Sequence, residues 1–172
     1  VIIVRAAAQK IRNKDSHYPY RQDSDFLYLS GFSEPDAMMV LLPRAKDGHS
    51  ILFCRERDPH REMWDGRMAG PEDAGAQFGF DEAFPMAEMG QHLPGLMHGC
   101  ERIYYDLGKD PDFDQLLIGW MNDFRAKPRK KFLAPDEIVA LDHSLHELRL
   151  FKSRTEIAAM KKSSRVAIEA HQ

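Results

Sequence analysis

Apolar positions fall in short continuous runs through the first part of the chain and in spaced stripes through the second. VIIV at 1–4, FLYL at 26–29, AMMVLL at 37–42, SILFC at 50–54 and RIYY at 102–105 are β-branched, aromatic and aliphatic runs bounded by turn formers, and they predict five strands. DGH at 47–49 lies between the third and fourth runs and predicts a hairpin turn, which makes those two strands antiparallel neighbours.

The stripes predict helices. Phe113, Leu116, Leu117, Trp120, Met121 and Phe124 lie on one side of a helical wheel, opened by Asp110-Pro111, an N-cap followed by proline at the first helical position. Ile138, Leu141, Leu145 and Leu148 predict a second amphipathic helix, and a weaker pattern over 84–97 is cut by Pro94. Ser153-Arg154-Thr155-Glu156 is a capping box that starts a last helix with Ile157, Met160, Ala167 and Ile168 on it. That helix reaches Gln172 without a closing turn, so the pattern predicts one domain over 1–153 and, over 154–172, the first helix of something further. The chain opens on Val1, already in a core-strand pattern, which predicts a piece that starts inside a longer protein.

Composition narrows the function classes. Of 172 residues, 43% are hydrophobic and 30% charged, and the net charge is -3, so there is no electrostatic footprint for nucleic acid. Lys127-Pro128-Arg129-Lys130-Lys131 is the one basic cluster. Cys54 and Cys100 stand alone, as expected of a cytoplasmic protein with two reduced thiols. No apolar run reaches the length of a membrane span.

Candidate chemistry is sparse. His143, His146 and Glu147 would share one helix face, but two imidazoles and a carboxylate supply too few ligands for a closed zinc site. Gly66, Gly70 and Gly75 do not fit a phosphate-loop spacing, and no serine sits in a nucleophile elbow. Asp23, Asp25, Glu34 and Asp36 alternate along a turn, where solubilising carboxylates are expected. Three features rise above this background: Asp15 just ahead of HYPYRQDSDFLYLSGFSEPDA, Trp64 read as a loop tryptophan among Asp65, Gly66 and Arg67, and Arg129 in the basic cluster. The residues by themselves offer no complete active site.

YPYRQDSDFLYLSGFSEPDA, MWDGRMAGPEDA and HELRLFKSRTEIAAMKKSSRVAIEAH, in this order, resemble the amino-terminal domain of proline-specific aminopeptidases of the aminopeptidase P type and its junction with the catalytic domain. Arg5 departs from the helix-breaking or small residue expected there. The resemblance implies an α/β fold, a mixed sheet of five or six strands with helices on both faces, preceded in the family by a further helix. It implies a full-length enzyme that releases the amino-terminal residue ahead of proline from Xaa-Pro peptides, with two Mn²⁺ ions on five ligands in a pita-bread domain beyond Gln172 and none in this chain. The present domain would shape substrate access and subunit assembly in a homo-oligomer. Asp15 would reach from one subunit toward another's active site, Trp64 would form a pocket wall and Arg129 a basic residue at the mouth. Asp23 and Asp25 would shape the turn into a strand at Phe26, packed down by Tyr18 and Tyr20. Two alternatives stay open: a non-catalytic peptide- or protein-binding module of the same fold, and a stand-alone metal hydrolase using His143 and His146.

Overall fold

The computed structural model describes residues 1–45, 48–126 and 133–171. Its contacts divide the chain into two compact units, Val1–Ala140 and Leu141–Gln172.

In the first unit the opening apolar run is strand β1, Ile2–Arg5. A short hairpin of β2, Ile11–Asn13, and β3, Ser16–His17, follows, then helix α1, Ser24–Ser30. Next come β4, Met38–Leu41, and β5, Ser50–Cys54, which pair antiparallel as the pattern predicts, although Asp47 of the expected turn lies outside the described residues. Helices α2, Pro59–Asp65, and α3, Gly70–Phe78, lead to β6, Glu82–Pro85. A 3-10 turn, Met86–Glu88, and α4, Met89–Met97, precede β7, Arg102–Tyr104; α5, Pro111–Ala126, and β8, Glu137–Val139, complete the unit.

The main sheet has six strands in the order β6-β5-β4-β1-β7-β8, and it is mixed: β1, β4 and β5 run antiparallel in sequence, while β6, β7 and β8 add in parallel. Successive strand residues face opposite ways. Ile3, Met38, Val40, Ile51, Phe53 and Ile103 therefore form one apolar layer, which buries Leu93 and Met97 of α4 and Phe113, Leu117 and Phe124 of α5. Each such fully buried side chain stabilises the fold by roughly 1.5–3 kcal/mol. On the other side lie the equally buried Val4, Met39, Leu52 and Cys54. Helix α3 packs there against β5 and β6, close enough that a methyl group placed on Gly75 would lie 3.7 Å from the Ala83 methyl. The sheet thus carries helices on both faces.

Besides the pattern over 84–97, which begins in β6 and whose Pro94 lies inside α4 rather than cutting the helix, three sequence expectations change. Residues 26–29 are not a strand but the centre of α1. Asp23 caps that helix, its Oδ1 accepting from the amides of Asp25 and Phe26 at 2.9 Å each, and Gly31 ends it in a left-handed conformation at φ +66°. Start and stop signals about two turns apart outweigh the strand preference of FLYL, and Phe26 and Ser30 face inward with helical spacing. Asp23 is accordingly a helix cap, and Tyr18, more than half exposed, does not pack the segment down. Second, Ile138 belongs to β8, not to a helix; the helix begins at Leu141, and Leu148 is exposed. Third, the stretch read as a loop around Trp64 contains α2 and α3. Asp58-Pro59 opens α2 with the same cap-then-proline signal as Asp110-Pro111, and Asp58 Oδ1 accepts from His60 and Arg61.

The second unit consists of α6, Leu141–Leu150, and α7, Arg154–Ala170. The capping box is formed: Glu156 N donates to Ser153 Oγ at 3.2 Å and Ser153 N to Glu156 Oε2 at 2.7 Å. No residue of α7 is buried. Among the described residues, no helix is long and apolar enough to cross a membrane.

Candidate functional site

The two described residues of the expected site each sit on a short excursion from the sheet, and each excursion is closed at its root by polar side chains. Asp15 lies in the turn of the β2–β3 hairpin, outside the main sheet, where every residue from Ile11 to His17 is exposed. Lys14 takes a φ of +42° to close that turn. A two-stranded hairpin of this size has little stability of its own. Its internal support is the Tyr18 amide donating to Lys10 O at 3.0 Å and the Arg12 guanidinium 6.0 Å above the Tyr18 ring. The root is held differently: Tyr20 Oη donates to Ala7 O at 3.0 Å, and the Gln22 carboxamide accepts from the amides of Ala7 and Asp23. Burial, with the Asp36 charge adding to it, pushes the Tyr20 phenol up to about 12, so it stays a donor.

Trp64 lies in α2, between β5 and α3. Its ring is 86% exposed and neighbouring Met63 76%, so the tryptophan is part of no core. The excursion is closed by Glu62, whose carboxylate takes Arg57 Nε and Nη2 at 3.1 and 3.2 Å and the Met68 amide at 3.0 Å. One side chain therefore bridges the residue that enters the excursion and the one that leaves it. The Arg57 hydrogen bond, followed by that of Met68, holds the Glu62 carboxyl below its ordinary value. A cleft of about 410 Å³ lies at this root, lined by Arg57, Ala69, Gly70 and Pro71 among others.

Asp15 and Trp64 are not bonded to each other among the described residues, and Arg129, with the rest of the basic cluster, lies outside them. The acids of the opening stretch have structural work: Asp23 caps α1, and Glu34 Oε1 accepts from the Ala69 amide at 2.8 Å, ahead of α3. Asp36 adopts a φ of +54° in the turn before β4. His143, His146 and Glu147 are exposed on α6. Within either unit taken alone, the described residues bring no three His, Cys, Asp or Glu ligand atoms together, so neither unit offers a donor set that fits a dinuclear metal centre.

Gln22 and Glu62 are not legible as site residues in the sequence. Gln22 bonds to four backbone groups, three of them in other segments, and Glu62 to the Arg57 guanidinium and the Met68 amide; no residue-type spacing encodes either set.

Residues 1–104 match the family model described as the amino-terminal domain of aminopeptidase P. The chain is 36% identical over 171 residues to the Xaa-Pro aminopeptidase of Escherichia coli, covering 98% of this chain and 38% of that protein. It superimposes with a TM-score of 0.91 and 50% identity on Pseudomonas aeruginosa aminopeptidase PepP, covering 99% of this chain and 38% of that one. A zinc-substituted Escherichia coli aminopeptidase P in complex with product matches with a TM-score of 0.91 at 36% identity, over 99% of this chain and 39% of that one. The chain thus spans about two fifths of the length of the relatives it matches.

Proposed function

Because the chain belongs to the aminopeptidase P amino-terminal domain family, we propose that it is the non-catalytic amino-terminal domain of an Xaa-Pro aminopeptidase, acting on peptides whose second residue is proline. The observation that carries this reading is the likeness over 98–99% of the chain to enzymes of that activity. Proline's nitrogen carries no hydrogen and its ring fixes φ, so the bond ahead of it calls for a dedicated pocket.

In this reading the chain's own residues bind and orient. The exposed Trp64 ring offers an apolar wall to a substrate side chain or prolyl ring, and the Glu62 bridge fixes its aim. Asp15, at the end of an exposed hairpin, is a carboxylate that can reach a neighbouring subunit of a homo-oligomer. Arg129 offers a positive charge to a peptide carboxylate at the pocket mouth. Two manganese ions supply, when bound, an activated hydroxide and a polarised carbonyl. In this reading their ligands belong to a catalytic domain. The free thiols of Cys54 and Cys100 accord with a reducing, cytoplasmic setting.

The test is hydrolysis by the intact, manganese-loaded protein of matched Xaa-Pro and Xaa-Ala peptides. Turnover confined to the prolyl series is expected, with loss of kcat/KM in D15A, W64A and R129A variants that keep their melting temperature. Equal turnover of both series, or none with metal present, overturns the reading.

A further inference from the structure

We propose that Gln22 is a positioning residue for the Asp15 hairpin: its buried carboxamide sets where the arm leaves the domain and where it returns. Gln22 is only 8% exposed. A carboxamide has two acceptor sites on its oxygen and two donors on its nitrogen, and here all four are used. Oε1 accepts from the Ala7 amide and from the Asp23 amide, both at 2.9 Å. Nε2 donates to Phe32 O at 3.3 Å and to Glu34 O at 2.8 Å. The partners also fix which end is which, because two N–H groups lie on one side and two carbonyls on the other; a flipped amide would face donors with donors.

The four partners come from the three segments that meet under the hairpin. Ala7 is where the chain departs after β1, and Asp23 is where it comes back to cap α1. Phe32 and Glu34 belong to the connection from α1 to β4, which is tied to β1 by the Ala6 amide donating to Ala37 O at 2.9 Å. One oxygen atom therefore receives both the outgoing and the returning backbone, and the nitrogen of the same group fastens that junction to the connection beside the sheet. The hairpin between them has no buried residue with which to hold its own direction. Tyr20 Oη, donating to Ala7 O, is a second side-chain closure of this root.

The chemistry is specific to glutamine. Methionine, of similar length, leaves two amides and two carbonyls without their partner. An ionised glutamate keeps the acceptor for Ala7 and Asp23 but has nothing to donate to Phe32 and Glu34. The inference rests on the reading of Asp15 as a residue that works at the end of this arm.

The experiment uses the intact protein and the variants D15A, Q22M, Q22E and the double variant D15A/Q22M. Two readings are taken: amide hydrogen exchange, and kcat/KM for an Xaa-Pro peptide. For Q22M, exchange over residues 10–18 should rise roughly tenfold or more, while α5 keeps its protection. Its kcat/KM should fall toward that of D15A, and the double variant should fall no further than D15A alone, because an unaimed Asp15 and an absent one are equivalent. Should Q22M fail to fold, Q22E carries the same two readings. Unchanged exchange over 10–18, or losses that simply multiply in the double variant, overturns the proposal. Raised exchange with hydrolysis untouched in both D15A and Q22M upholds the clamp and instead removes the functional reading of Asp15.

Discussion

Arg5 and Asp110 are 105 residues apart and meet through one edge of the guanidinium, Nη2 at 2.7 Å and Nε at 3.1 Å from the same carboxylate oxygen, Oδ2. The other oxygen, Oδ1, accepts from the Phe113 amide at 3.1 Å, and the guanidinium carbon lies 5.2 Å over the Phe113 ring. Asp110 is thus at once the cap of α5 and the anchor of that helix to β1, which explains an arginine where a helix-breaking or small residue was expected. Asp110→Ala should destabilise the first unit by about 1–2 kcal/mol through the cap alone. The stranded, part-buried Arg5 should add to that. Arg5→Met should cost less, because Asp110 goes on capping. Denaturant midpoints at constant slope are the measure, and an R5M loss as large as that of D110A would show the cap to be unimportant.

The same pair shows how far the sequence could be read. Asp110-Pro111 announces α5 plainly, since a cap and a proline are local signals, and the stripe from Phe113 to Phe124 follows from them. The tie to Arg5 is tertiary and leaves no local trace. FLYL was misread for the complementary reason: aromatic composition suggested a strand, while the deciding features were Asp23 before it and Gly31 after it. Strands β6 and β8 were missed because each is a short addition at a sheet edge, parallel to a neighbour that supplies the pairing. Of the expected site, Asp15 and Trp64 stand among polar neighbours in the sequence, whereas the groups that hold them carry no pattern: Gln22 bonds to backbone of three segments, and Glu62 to the Arg57 guanidinium and the Met68 amide.

Trp64→Ala should leave stability within about 0.5 kcal/mol of the unaltered protein, as expected of a surface substitution. The ring is 86% exposed, so little burial is lost. Under the proposed function, the same change in the intact protein should lower kcat/KM for Xaa-Pro peptides roughly tenfold, the size of a lost aromatic contact of about 1.4 kcal/mol. A large fall in melting temperature with unchanged peptide kinetics would mean that the ring is covered and structural in the assembled protein.

Glu62 gives the Trp64 excursion a pH dependence whose sign follows from its hydrogen bonds. Arg57 first, then the Met68 amide, favours the ionised carboxylate, so the folded value lies below the ordinary 4.5. The hold is therefore complete above pH 4.5 and is lost as pH falls through the lower folded value. Limited proteolysis or exchange across α2 should rise on acidification before α5 loosens. Glu62→Gln should show the raised exchange already at neutral pH and lose most of the acid dependence. Identical acid profiles for the two proteins would assign the dependence to another group.

Gly70 tests whether the two ends of that excursion are coupled. It opens α3 at φ +68°, in the left-handed region, and a methyl group placed on it would lie 2.7 Å from Arg57 Cγ. Two separate costs follow for Gly70→Ala. The backbone conformation alone disfavours a side chain by roughly 1–2 kcal/mol. The contact with Arg57 adds a second penalty, relieved only if that side chain moves. Moving it pulls the guanidinium away from Glu62 Oε1 and Oε2, now 3.1 and 3.2 Å from Nε and Nη2. G70A should therefore both lower stability and raise exchange across α2, although Gly70 lies outside that helix. In the double variant R57A/G70A the clash is gone but the backbone strain is not, so the added loss from G70A should shrink to the backbone share. Coupling of this kind is read as the departure from additivity in a double-mutant cycle. A G70A effect of the same size with and without Arg57 would mean that the glycine is needed for its backbone alone, and that the Arg57 side chain gives way freely without disturbing the bridge that holds Trp64.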